Sequence, residues 1–101
     1  MNIYWMVECL PEDTPVRGDD RLDRECEDTI LHQLKQGNSW AWCCVKVTGH
    51  YLGLSASEYL GACSYQDSTE FEVSDSYLEM QRAVEQSIRT QIARIIGEHT
   101  E

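Results

Sequence analysis

Ser39-Trp40-Ala41-Trp42-Cys43-Cys44-Val45-Lys46-Val47 is the stretch on which the fold turns. Trp40, Trp42, Cys44 and Lys46 alternate with Ala41, Cys43, Val45 and Val47, the period of two that an extended strand imposes. The smaller set suits packing beneath a helix, so this reading places Trp40 and Trp42 on the opposite, open face of a sheet. A second run, Ser57-Glu58-Tyr59-Leu60-Gly61-Ala62-Cys63-Ser64-Tyr65, is its natural antiparallel partner. Gly49 and Gly53 each offer a turn between the two, and Leu52-Gly53-Leu54-Ser55 with extended arms is the favoured one.

On the N-terminal side, residues 2–10 are rich in β-branched, aromatic and apolar types and stop at Pro11, which predicts a first strand. Ile3, Trp5, Val7 and Cys9 share one face of it, and Tyr4, Met6 and Glu8 the other. A loop with two prolines and a glycine follows over residues 11–18. A helix is expected from an N-cap at Asp19 or Asp20. Its buried stripe is Leu22, Cys26, Ile30 and Leu34, and Gly37 with Asn38 closes it. Arg21 can reach Glu25 and Arg24 can reach Asp28 on its exposed side, leaving Asp20, Asp23 and Glu27 without a local partner.

On the C-terminal side, Phe71 and Val73 alternate with Glu70 and Glu72 in an acidic connector, which reads as a short edge strand. Ser76 and Glu79 have the spacing of a capping box for a long helix. Tyr77, Met80, Val84, Ile88, Ile92 and Ile95 form its apolar face, and Gly97 is its expected end. Glu79 with Arg82, Glu85 with Arg89 and Arg94 with Glu98 pair its charges. The expected fold is therefore α+β, a single domain over residues 1–101 in the order β-α-β-β-α. Its antiparallel sheet has three strands, or four with the edge strand, and both helices pack on one face.

The formal net charge is −10, and it is unevenly placed. Residues 8–28 carry nine acids against three arginines, and residues 58–75 carry five acids against no base. A one-signed field of this kind steers cationic partners and opposes direct contact with nucleic acid, whose phosphates need a basic surround. Apolar runs are only a few residues long, so a membrane span is not expected. The start Met1-Asn2-Ile3-Tyr4-Trp5 lacks the basic lead of a signal peptide, which makes the cytoplasm the expected compartment.

Five cysteines, Cys9, Cys26, Cys43, Cys44 and Cys63, form an odd set without a C-x-x-C pair, as buried reduced thiols do. His32, His50 and His99 lie in separate segments. Asp13, Asp19, Asp20 and Asp23 do not follow a calcium-loop spacing. No cofactor or metal is expected. For catalysis, the combination worth naming is Cys44 or Cys63 as nucleophile with His50 as base, and no phosphate loop or hydrolase motif accompanies it.

Three classes of function follow. The first is a non-enzymatic protein whose carboxylates (Asp20, Asp23, Glu27, Glu58, Asp67, Glu70, Glu72 and Asp75) occupy a basic surface of a nucleic-acid-binding protein. The second is a homodimeric or assembly module using the Trp40/Trp42 face. The third is a thiol enzyme or small-ligand binder.

The segment Trp40-Ala41-Trp42-Cys43-Cys44-Val45-Lys46-Val47, with residues 54–65, the acidic stretch before a helix and the start Met1-Asn2-Ile3-Tyr4-Trp5, resembles small accessory proteins encoded by bacteriophages and prophages. The likeness covers most of residues 39–95 and carries no site residues with it. Small acidic phage proteins include anti-CRISPR and DNA-mimic inhibitors of host-defence machinery. The resemblance therefore implies a host bacterial setting and favours the first class.

Overall fold

The computed structural model describes the backbone of residues 1–99 and the side chains of residues 1–97. Three antiparallel strands, β1 (Tyr4–Leu10), β2 (Cys43–Tyr51) and β3 (Leu54–Cys63), form one sheet in the order β1-β2-β3. Three helices complete an α+β fold: α1 (Arg24–Lys35), the short α2 (Ser68–Glu72) and the long α3 (Asp75–His99). No helix is long and apolar enough to cross a membrane among the described residues.

The β2–β3 hairpin turns at Leu52 and Gly53, both at positive φ (49° and 79°). Two such residues in succession form the turn whose twist matches the flanking strands. Glycine adopts that conformation freely, whereas leucine does so at a cost of about 1–2 kcal/mol. Leu52 is 84% exposed and has no packing role to offset this. Leu52→Asn should therefore stabilise the protein by about 1 kcal/mol, raising Tm by roughly 4–8 °C in a thermal melt.

One face of the sheet lies under α3, which packs on β2 and β3. Val45, Val47, Cys43 and Cys63 meet Phe71 and Met80 there, and Trp5, Val7, Cys9, Leu60 and Tyr77 close around them. A bulge makes this possible on β3. Cys43 pairs with Cys63 and Val45 with Leu60, so Gly61 and Ala62 together oppose Cys44. Ala62, the second residue of the bulge, takes the left-handed conformation at φ 52°. Leu60 and Cys63 consequently reach the same core although three positions apart.

Gly49 is where the backbone needs glycine for space rather than for a turn. It sits on β2 opposite Trp5, and a Cβ there would fall 2.7 Å from Val84 Cγ1. The helix lies that close to the strand.

Helix α1 does not join α3 across the sheet. It packs chiefly on a 3-10 turn, Ser39–Ala41, where Val16, Ile30, Ala41 and Trp42 build a second small core with Leu22, Leu31 and Leu34. Asp23, not Asp19 or Asp20, is its N-cap, accepting from the Cys26 N–H at 2.8 Å. At the other end Asn38 N–H donates to Gln33 O and Gly37 N–H to Leu34 O, a Schellman closure with Gly37 at φ 90°.

Four further expectations are corrected. Trp40 lies in the 3-10 turn, so the alternating strand begins only at Cys43. Trp42 is buried at 7% exposure, its Nε1–H donated to the Thr14 carbonyl at 2.7 Å. Residues 68–72 form a helix, not an edge strand, because the Asp67 side chain captures the Glu70 N–H at 2.9 Å and coils the chain. Finally, α3 starts at Asp75 with Ser74 Oγ accepting from the Tyr77 N–H, and it runs on through Gly97. Of its expected ion pairs, Glu85–Arg89 forms at 2.9 Å, and Glu79–Arg82 is not among the ion pairs of the described residues. The Glu98 side chain of the third lies outside the described residues.

Candidate functional site

The open sheet face is aromatic through Tyr4 and Tyr59, without Trp40 and Trp42. Period-two alternation puts Tyr4 and Met6 of β1, Lys46, Thr48 and His50 of β2, and Tyr59 of β3 on the side away from α3. Tyr4 and Tyr59 are 69% and 59% exposed. Lys46 Nζ lies 5.6 Å from the Tyr59 ring centre, and Thr48 and Ser57 share a hydroxyl hydrogen bond of 2.8 Å. Tyr65 points instead into the main core, edge-on to Phe71 with centroids 5.1 Å apart.

The eight candidate carboxylates do not form one array. Glu27 is drawn to Arg17 (3.7 Å), which also binds Asp28 at 2.6 Å across the loop. Asp23 and Asp67 are spent as helix caps, and the Cys26 N–H holds the Asp23 carboxyl below its ordinary range. Glu58 is half-buried on the α3 side of β3. Glu70, Glu72 and Asp75 are exposed at the α2–α3 corner, and Asp20 is exposed in the loop before α1. A bidentate ion pair outside the expected set joins the loop: Arg21 clasps both carboxylate oxygens of Asp19, holding its pKa down at about 2. Sequence spacing could not reveal Arg17 or Arg21 in these roles, because neither sits one helical turn from its partner within a helix.

A groove runs between α1 and the segment 64–70. Its first part is lined by Leu22, Asp23, Glu25, Cys26, Ile30 and Ser64, with an open volume of about 410 Å³. It continues past Thr29 and Ile30 to Gln33, Tyr65, Gln66 and Glu70. Leu22 and Ile30 give the first part an apolar floor, whereas the second is lined mainly by polar side chains; Asp23 and Glu25 line the first part and Glu70 the second. No lysine or arginine lines either part. Of these residues, Asp23 and Glu70 were among the candidates; Glu25 was missed because it was assigned to Arg21.

Neither a family model, nor a curated protein, nor a solved structure matches the chain. The groove is therefore read from its own chemistry. An apolar floor accepts the aliphatic stem of a long cationic side chain, and carboxylates at the rim accept its head.

The thiol–histidine candidates are far apart. Cys44 and His50 lie six residues apart on β2, roughly 20 Å along a strand. Cys63 pairs with Cys43 at the opposite end of the hairpin from His50. Burial pushes the Cys43 and Cys63 thiols up, and the adjacent Asp23 carboxylate raises exposed Cys26. Thiolate is the reactive form, so native protein should react slowly with a disulfide reagent at pH 7. The expected order is Cys26 first, with Cys43 and Cys63 reacting only on unfolding. Peptide mapping of the labelled thiols after timed quenching checks this.

Proposed function

We propose that this protein is a non-enzymatic phage or prophage accessory protein that inhibits nucleic-acid-handling defence machinery in the cytoplasm of a host bacterium. It does so by gripping a lysine- or arginine-bearing segment of its target in the groove beside α1. The observation that carries this reading is the groove itself: an apolar floor between carboxylates, without a neutralising base. The reading differs from duplex mimicry in one respect. A mimic needs many carboxylates at phosphate-like spacing, and here Glu27, Asp23 and Asp67 already serve internal partners. A pocket for one or two cationic side chains needs only Glu25 and Glu70. The phage setting rests on the resemblance of residues 39–95.

The test is titration of the isotope-labelled protein with a lysine/arginine-rich peptide and with an acidic control, read by NMR. Shifts should gather on Cys26, Thr29, Ile30, Ser64 and Glu70 and weaken steeply with added salt. Glu25→Lys with Glu70→Lys should abolish them while leaving the amide spectrum of the sheet in place. Shifts confined to the Tyr4/Tyr59 face, or binding indifferent to salt, would sink the proposal.

A further inference from the structure

The two edges of the sheet are finished differently. Along β3, Gln91 Nε2 donates to the Ser55 carbonyl at 2.9 Å and Arg21 reaches the Ala62 carbonyl at 3.4 Å, while Cys63 Sγ lies 3.1 Å from the Leu60 carbonyl. The bulge at Gly61 and Ala62 disrupts that edge further. Strand β1 has neither device. Among the described residues no side chain bonds to the backbone of Tyr4–Leu10, and the strand holds no proline, lysine or bulge. Such an edge is a template for another strand unless something covers it.

The surface beneath that edge is also unfinished. Because α3 packs chiefly on β2 and β3, a groove is left at the N-terminal end of β1, between Ile3, just before the strand, and Trp5 on one side and Leu78, Gln81, Arg82 and Glu85 of α3 on the other. Leu78 is 46% exposed there.

We infer that β1 pairs with β1 of a second copy, antiparallel about a two-fold axis, to make a continuous six-stranded sheet with the two grooves joined into one trough that holds Leu78, Arg82 and Glu85 of both copies. Charge singles out a second copy. Each chain carries −10, so association through the acidic loop, α1 or the α2–α3 corner sets like charges together. At the β1 edge Glu8 lies opposite Lys46 on the open face, and on α3 Glu85 pairs with Arg89 beside Arg82, so the local balance is not negative. A two-fold axis also turns the Arg82-then-Glu85 wall of one α3 toward its own reverse, an arrangement that complements itself as an isologous interface requires. The surface lies apart from the α1 groove, so this inference does not depend on the proposed function.

Light scattering is the measurement, because a chain with principal extents of 61 × 24 × 20 Å elutes misleadingly in size-based separation. The expected mass is twice that of the 11.7 kDa chain. Amide exchange along Tyr4–Leu10 should quicken on dilution, while that of β2 stays constant. Leu78→Arg should give a monomer with an unchanged far-ultraviolet spectrum. Arg82→Glu should weaken the dimer, and Arg82→Glu with Glu85→Arg should restore it. A monomer at millimolar concentration overturns the inference. So does a dimer that survives Leu78→Arg with β1 exchange independent of concentration, since it uses another face.

Discussion

Phe71→Ala is expected to lose about 3–5 kcal/mol of stability, measured by urea unfolding followed through tryptophan fluorescence. Phe71 is fully buried although it sits on a helix of five residues. Its ring centre lies 5.1 Å from Tyr65, 5.3 Å from Tyr77 and 6.0 Å from Trp40. These neighbours come from the segment after β3, from α3 and from the 3-10 turn, so one ring ties three parts of the chain together. Truncation leaves a cavity that no single element can collapse to fill, which places the loss in the upper range for core deletions. Against a total of about 5–15 kcal/mol for a domain, that is a large fraction. A loss under ~1 kcal/mol would mean that α2 does not pack as described.

The second large effect comes from adding one methyl group. At Gly49 an added Cβ falls 2.7 Å from Val84 Cγ1, 2.8 Å from Ile3 Cγ2 and 3.1 Å from Trp5 Cζ3. Val84, on the sheet-facing side of α3, is fully buried and has nowhere to retreat. Overpacking of this kind costs about 1–3 kcal/mol, and three close neighbours put Gly49→Ala near the top of that range. The control is a double-mutant cycle. Val84→Ala opens space at the tightest contact, so Gly49→Ala should cost less in the Val84→Ala background than in the wild type. Equal costs in both backgrounds would place the strain elsewhere.

The sheet was legible in the sequence where alternation separates apolar from polar, as in Val45, Lys46 and Val47; in Ser57, Glu58 and Tyr59 the period is visible but the facing is not, because Glu58 and not Tyr59 takes the α3 side. The hairpin was legible because Gly53 stands between two such runs. Trp40 and Trp42 were misplaced for a physical reason. Their spacing fits a strand, but Asn38 accepts the Trp40 N–H at 3.2 Å and bends the chain into a 3-10 turn just before the strand. Phe71 and Val73 show the same limit. Two residues of alternation cannot outweigh an aspartate N-cap, and only Phe71 is buried, while Val73 is 80% exposed. The acidic character of the site was legible from composition alone. Its shape was not, because the groove is made by α1 and residues 64–70, which lie far apart in the chain and meet only through tertiary packing.

That small second core sets how the groove behaves in time. Helix α1 rests through its Ile30 on Val16, Ala41 and Trp42 with a few half-buried neighbours, whereas the sheet and α3 share the larger cluster. Segments held by few apolar contacts open sub-globally at a lower free energy than the rest of the molecule. Whenever α1 swings away, one wall of the groove goes with it, so affinity at that site is reduced by the fraction of molecules caught open. A ligand seated there acts as a clasp, and its grip should be visible as slowed exchange of the α1 amides long before global melting shifts.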